Sequence, residues 1–339
     1  VIISRSPLRL SFFGGGTDYP DYFLRKPGAV LGTTIDKYIL VTINRGSPFF
    51  EHRIRVSYAK AEAVRRVEEI EHPSVRAVLQ ELKLDDMLDI HIFADLPART
   101  GLGSSSAFTV AFLNACYAYQ GKFVGRRALA DQAIYIEQEI LKENVGIQDQ
   151  LHSALGGFNI IRADSQGIRV SPVILSRENR QLLEDSLMLF YTRITRLASE
   201  VVAEQLDNTR RREIDDQLER MAAQVDEAQE VLSAQRGRKL LKNFGALLHE
   251  AWSLKKQLSS KISNSTIDQY YEAALKHGAL GGKVGGAGSG GFLMLLVEKK
   301  HQSAVRAALR GLDEVDFRFE SDGASIIYSH DPPQYIPAR

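Results

Sequence analysis

Pro97-Ala98-Arg99-Thr100-Gly101-Leu102-Gly103-Ser104-Ser105-Ser106-Ala107 is a glycine- and serine-rich loop that opens a helix. Gly101 and Gly103 let the backbone turn tightly and come close to a ligand, because no Cβ stands in the way. Ser104 to Ala115 has helical character. The loop therefore aims backbone N–H groups and the positive end of a helix dipole at whatever sits there. Such a place suits a polyphosphate, and three consecutive hydroxyls add hydrogen bonds or a metal ligand. Read alone, the serines fit a plain helix cap equally well. No segment has the Gly-x4-Gly-Lys-Ser/Thr pattern. Gly281-Gly282-Lys283 comes nearest, but Val284 follows where a hydroxyl is needed. The dinucleotide fingerprint wants a third glycine where Ser106 stands. The neighbours of the loop decide its meaning.

Upstream, Leu88 to Asp95 alternates and reads as a strand that runs straight into the loop. Thr34 to Arg45 reads as another strand. Downstream, Arg126 to Lys142 reads as a second helix, and Gly146 to Ala154 as a short helix start that Gly156-Gly157 breaks. Gly157–Arg162, Ile168–Ile174 and Ser186–Tyr191 read as strands. Thr195 to Lys276 is almost wholly helical in pattern, with Arg210-Arg211-Arg212 as a solvated inter-helix loop. A glycine-rich segment follows, then a strand (Phe292–Val297), a helix (Lys299–Leu309) and strands over Asp316–Glu320 and Ala324–Ser329. A β-rich first half and a helical, then α+β, second half predict two domains, 1–180 and 181–339.

At 339 residues, with 44% hydrophobic and 25% charged residues, the chain has the composition of a globular protein with room for two cores. A net charge of +1 supplies no bulk attraction to nucleic acid or to an anionic membrane. No apolar run reaches the length of a membrane span. Val1 to Pro7, interrupted by Arg5, is too short to read as a signal peptide. The single cysteine, Cys116, excludes an internal disulfide and lies in an apolar helical stretch, as a small buried residue would. A cytoplasmic protein, monomer or homodimer, with neither nucleic acid nor membrane as partner, is the expectation.

Two more glycine loops flank the first. Near the N-terminus, Leu8, Leu10 and Phe12 share one strand face with Arg9 on the other, and Gly14-Gly15-Gly16-Thr17-Asp18 follows. The glycines let the chain bend around a ligand, and Thr17 and Asp18 present oxygens suited to polyol hydroxyls. Near the C-terminus stands Gly281-Gly282-Lys283-Val284-Gly285-Gly286-Ala287-Gly288-Ser289-Gly290-Gly291. So many glycines cost backbone entropy, which a close approach to another backbone or to a phosphate would justify. Between them lie Glu137 and Asp149. Phosphoryl transfer to an alcohol needs a phosphate cradle, Mg²⁺, a group to position the attacking hydroxyl and a cation to balance charge. The chain offers a candidate for each.

The order of these motifs resembles the galactokinase, homoserine kinase, mevalonate kinase and phosphomevalonate kinase superfamily across nearly the whole chain. Gly15-Gly16 stands where galactokinases carry Glu-His, so a charged sugar contact is missing and the pocket gains room. Phe12–Asp18, Thr33–Tyr38, Gly146–Gln150 and Leu248–Trp252 are similar to the D-glycero-D-manno-heptose 7-phosphate kinase branch, and to the kinase domain of bifunctional fucokinases. The resemblance implies a two-domain α+β fold. Its N-terminal ATP-binding domain would be ribosomal-S5-like, and its C-terminal domain ferredoxin-like with extra helices.

Roles carry over position by position. Pro97, Gly101, Leu102, Gly103, Ser104, Ser105 and Ser106 would hold ATP, with Gly285, Gly286 and Gly288 closing on them. Ser105 and Glu137 would ligate Mg²⁺, a hard cation suited to oxygen. Asp149 would accept or orient the proton of the anomeric hydroxyl, with Arg9 beside it to favour the carboxylate. Gly15, Gly16, Thr17, Asp18, Asp36, Lys37 and Arg196 would meet the sugar. Lys37, Arg196 and Lys283 lie beside motifs and could meet a distal phosphate. The implied reaction is γ-phosphoryl transfer from ATP to C1 of a heptose 7-phosphate, feeding nucleotide-activated heptose for bacterial surface glycans. A fucokinase-like enzyme and a non-catalytic sugar and ATP sensor on the same fold are the alternatives. A sensor should show damage at Ser105, Glu137 or Asp149, and all three are present.

Overall fold

A computed structural model describes residues 1–194 and 198–330. The first half runs β1 (Ile2–Phe13), α1 (Pro20–Phe23), β2 (Gly28–Arg45), β3 (Ile54–Ser57), β4 (Ala61–Val64), α2 (Pro73–Glu81), β5 (Leu88–Ala94), α3 (Ser104–Tyr119), α4 (Arg126–Tyr135), α5 (Gln148–Leu155), β6 (Phe158–Asp164) and β7 (Gly167–Pro172). The second half runs α6 (Arg177–Ser186), β8 (Leu187–Tyr191), α7 (Ala198–Arg210), α8 (Asp215–Ala234), α9 (Gly237–Lys255), α10 (Ser265–Lys276), β9 (Ala279–Val284), β10 (Phe292–Val297), α11 (Lys299–Ala308), β11 (Asp313–Glu314), β12 (Phe319–Glu320) and β13 (Ser325–Ser329). The fold is α+β. No helix among the described residues is long and apolar enough to cross a membrane.

β2 is the spine of a nine-stranded sheet. One edge pairs antiparallel with β1 from Ile43↔Ile2 to Leu31↔Phe13. The other edge takes β6 against Gly28–Thr33, β12 against Thr34–Ile35 and β5 against Ile39–Arg45. β13 closes the free edge of β1. α3 is apolar nearly all round, which marks a helix buried on every side, and it packs on β1, β2, α4 and α5. A second, four-stranded sheet has the order β11-β8-β10-β9.

The two sheets share a core. Alternate residues of β10 face opposite ways: Phe292, Met294 and Leu296 join the large cluster that contains Leu8, Phe12, Phe244 and Leu248. Leu293, Leu295 and Val297 join a second cluster around Trp252, Tyr271 and Phe190. A strand buried on both faces reads as an unbroken apolar run, which is why Phe292–Val297 stands out in the sequence.

Three expectations change. The helix over Arg126–Lys142 is α4 followed by a π-helical turn, Ile136–Ile140, that carries Glu137. The strand over Asp316–Glu320 shrinks to β12, because the chain there crosses between sheets. The Val315 N–H still bonds to the Leu189 carbonyl of β8, whereas the Arg318 carbonyl already accepts from Asp36 of β2. The last two strands, read in sequence as part of the second half, pair with β1 and β2 of the first sheet.

Candidate active site

β5 delivers the chain to the loop before α3, where Gly103 takes the N-cap position with φ 76° and no side chain caps the helix. Ser104–Ser106 therefore do not cap α3, and its first N–H groups stay open to an anion. Ser104 and Ser106 are buried and Ser105 is exposed. Leu102 is buried in the core, and its carbonyl accepts from the Arg9 N–H at 3.0 Å. Pro97 is exposed at the loop's start, where its carbonyl accepts from the Thr100 hydroxyl at 2.8 Å.

The third glycine loop lies on this one, backbone to backbone. A Cβ at Gly101 would stand 2.6 Å from the Gly285 carbonyl carbon, and one at Gly286 would stand 2.5 Å from the Gly101 Cα. The Phe292 N–H donates to the Thr100 carbonyl at 3.1 Å, fastening β10 to the loop. Gly288 packs on Ile262 rather than on Gly101.

Arg9 projects from β1 into the same place. Its Nη1 donates to the Gly101 carbonyl at 2.7 Å, and its Nε and Nη2 form a two-pronged bond to the Asp149 carboxylate at 2.8 and 3.0 Å. Such a fork fixes the carboxylate's orientation as well as its charge partner. Asp149 sits in the first turn of α5, and its Oδ2 lies 3.2 Å from where a Cβ of Gly103 would be. Glycine loop, guanidinium and carboxylate are thus in mutual contact.

Asp18 is buried beside them. It accepts from the Gly16 N–H and the Gln148 side chain, both at 3.0 Å, and burial pushes its pKa above the ordinary carboxylate value. Gly15 lies beside Ser11 and Gln148, and Gly16 beside Gln205. Ser11 Oγ, Gln148 Oε1 and Gln205 Nε2 are buried without a hydrogen-bond partner among the described residues. A turn ringed by spare donors and acceptors suits a polyol. Thr17 does not add to that ring. Its hydroxyl lies within hydrogen-bond distance of the Gly14 and Ala29 carbonyls, between which its one proton is shared, and accepts from the Ala29 N–H, so it locks the turn instead. Asp36 and Lys37 pair with each other, and Asp36 also accepts from the Arg318 N–H. Their partners lie at the arrival of β12, not among the residues around Asp149. Arg196 lies outside the described residues.

Glu137 is buried on its π turn, where it accepts from the Ser106 hydroxyl at 2.8 Å and from the Gln150 amide. Its Oε1 has no hydrogen-bond partner among the described residues, and burial raises its pKa to about 7. No group of three or more His, Cys, Asp or Glu residues that could hold a metal exists among the described residues. A single carboxylate with a spare oxygen beside serine hydroxyls fits Mg²⁺, which keeps several waters and completes its shell with substrate phosphates. Ser105, the other expected ligand, forms no hydrogen bond with Glu137 among the described residues; the hydroxyl that does is Ser106's.

The description of the GHMP kinase N-terminal domain matches residues 65–157, and that of the C-terminal domain matches residues 212–313. The chain belongs to the GHMP kinases. It is 29% identical over 340 residues to a D-glycero-alpha-D-manno-heptose 7-phosphate kinase of Campylobacter jejuni, covering 95% of this chain and 98% of that protein. It is 25% identical to an L-fucokinase/L-fucose-1-P guanylyltransferase of Bacteroides fragilis, covering 90% of this chain but only 35% of that protein. Among solved structures, a D-glycero-D-manno-heptose 1-phosphate kinase of Bacteroides thetaiotaomicron superposes with a TM-score of 0.78 at 24% identity, covering 97% of this chain and 100% of that one. Lactococcus lactis galactokinase superposes at 0.70 and 20% identity, over 96% and 94% of the two chains. These two likenesses speak for the fold of this GHMP kinase.

Sequence reasoning missed several groups of the site. Gln148 and Gln150, which hold Asp18 and Glu137, flank Asp149 in a segment read only for its carboxylate. Lys255 was also missed. It continues the buried stripe Leu240, Leu241, Phe244, Leu248, Ala251, Trp252 of α9. A lysine in phase with an apolar stripe was the available signal.

Proposed function

We propose that this GHMP kinase transfers the γ-phosphoryl group of ATP to the anomeric C1 hydroxyl of D-glycero-D-manno-heptose 7-phosphate, releasing ADP and the 1,7-bisphosphate. The full-length similarity to the Campylobacter jejuni enzyme carries this reading of the substrate. The fork from Arg9 to Asp149 against the phosphate loop supports the chemistry.

The open N–H groups of α3, with Gly101, Gly103 and the Gly285–Gly286 backbone, bind the nucleotide's phosphates. Asp18, the Gly15–Gly16 backbone and the spare amides of Gln148 and Gln205 receive the sugar's hydroxyls. Asp149 accepts a hydrogen bond from the anomeric hydroxyl and aims its oxygen at the γ-phosphorus. As the C1–O–P bond forms, the bond from the γ-phosphorus to the bridging oxygen breaks, ADP leaves, and the hydroxyl proton passes toward Asp149. Arg9 holds Asp149 in place and balances charge as the transition state builds. Glu137 and Ser105 would hold a Mg²⁺ ion, which supplies charge neutralisation on the phosphate oxygens. The product suits a role in nucleotide-activated heptose synthesis in the cytoplasm.

The test is ADP release with Mg-ATP against heptose 7-phosphate, unphosphorylated heptose, fucose, mannose and galactose. Turnover confined to the 7-phosphate supports the proposal. Turnover of fucose alone moves the chain to the fucokinase-like branch.

A further inference from the structure

Two lysine ammonium groups are enclosed at the centre of the molecule without a carboxylate to neutralise them. Lys255, at the end of α9, is 5% exposed, and Lys283, on β9, is 2% exposed. Lys255 Nζ donates to the Gly286 carbonyl, and Lys283 Nζ donates to the Phe12 carbonyl at 3.2 Å. Neither forms an ion pair among the described residues. The charged groups that face them are Arg9, Asp18 and Asp149. Both carboxylates already have partners: Asp149 is held by Arg9, and Asp18 by Gly16 and Gln148.

An ammonium taken out of water is costly unless opposite charge and good hydrogen bonds meet it. One carbonyl apiece leaves most of that cost standing. Burial and the neighbouring Arg9 cation accordingly push Lys255 down to about 8, and burial with Lys255 beside it holds Lys283 well below the ordinary lysine value. A fold that keeps two such groups together keeps them for an anion.

Their anchor points say where that anion sits. Gly286 belongs to the loop that lies on Gly101 of the phosphate loop, and Phe12 belongs to the end of β1 just before Gly14–Asp18. The pair therefore bridges the nucleotide end of the cleft and the polyol end. Two compact, rotatable ammonium groups suit a tetrahedral dianion with oxygens on several sides. We infer that Lys255 and Lys283 form a phosphate-binding subsite between the phosphate loop and the Gly14–Asp18 turn. The inference rests on the sugar-phosphate kinase reading only for the source of that phosphate, which is either the sugar's own or the group leaving the nucleotide.

The experiment uses the full chain and the neutral variants Lys255→Met and Lys283→Met. With saturating Mg-ADP occupying the phosphate loop and leaving the positions of both the transferring group and the sugar's phosphate open, millimolar inorganic phosphate should raise the melting temperature of the wild type and not of either variant. The variants alone should melt at or above the wild type, because an uncompensated buried charge is gone. kcat/KM should fall at least tenfold. A rise confined to the KM for sugar phosphate assigns the subsite to the sugar's phosphate. A loss in kcat or in KM for ATP, with the sugar KM unchanged, assigns it to the transferring group. Wild-type-like phosphate response with kcat/KM within twofold overturns the inference. So does a lowered melting temperature with kcat/KM unchanged, which would make the lysines structural. Should either variant fail to fold, calorimetry on the wild type decides. Phosphate titrated at pH 9 into the wild-type Mg-ADP complex in two buffers of different ionisation enthalpy should bind with proton uptake, and the absence of phosphate binding overturns the inference. If the wild type turns over only a neutral sugar, the heptose 7-phosphate reading falls while the phosphate measurements still decide the lysines.

Discussion

Asp149 accepts two hydrogen bonds from one guanidinium, so its orientation is set before any substrate arrives. Asp149→Asn would replace one of the two acceptor oxygens by an amide donor facing Arg9 and remove the negative charge. We expect kcat to fall by about a hundredfold or more, with AMP-PNP binding changed only slightly; titration of the analogue alongside single-turnover rates checks both. Normal turnover would remove Asp149 from the reaction. Glu137→Gln keeps the hydrogen bonds from Ser106 and Gln150 within reach but halves the oxygen set and removes the charge. The Mg²⁺ concentration for half-maximal activity should rise by about tenfold, and an unchanged Mg²⁺ titration would discredit the ligand assignment. At this scale the sequence pointed to residues that the structure gathers: Arg9 bonds to Asp149, and Asp18 and Glu137 are held by Gln148 and Gln150 on either side of it. What sequence could not tell was where each hydroxyl or charge spends its bonds. Thr17 looked like a sugar contact and is consumed by backbone groups across the turn. Lys37 sits beside a motif, but its partner is Asp36.

Elements bring these residues together through backbone contact. The first and third glycine loops touch so closely that side chains have no place between them. Gly101 adds a φ of 82°, which an L side chain adopts only with strain. Gly101→Ala should therefore push Gly285 away, lower stability by about 1–3 kcal/mol and raise the KM for ATP by about tenfold. Denaturant unfolding and steady-state kinetics measure the two effects separately, and an unchanged KM would show that loop contact is not needed for nucleotide binding. Helices and core strands were legible from apolar period. The π turn at Ile136–Ile140 was not, because the local pattern is helical and the extra residue is accommodated by Glu137's bonds to distant side chains. The β3–β4 hairpin escaped as well, since four-residue strands offer too short an alternation to read.

For the whole molecule, the shared core outweighs the division into two sheets. Leu8 and Phe12 of the first sheet and Phe292 and Met294 of the second belong to one apolar cluster. Unfolding should therefore be a single transition, with calorimetric and van't Hoff enthalpies in agreement; two separated heat-absorption peaks would contradict this. The sequence reading divided the chain at residue 180, where a β-rich pattern gives way to a helical one; pairing between distant strands leaves no trace in such a local pattern. Such pairing takes β13 back to β1 and β12 back to β2. On the ribosome this has an effect of its own. The N-terminal sheet can assemble most of its strands early, yet β1 keeps an open edge until the residues near 325–329 have been synthesised. An unpaired edge of that length invites pairing with neighbouring nascent chains. Chaperone help should matter most in the interval between translating the first strand and the last, and codon changes that slow the intervening helices should lower soluble yield without altering one residue of the finished enzyme.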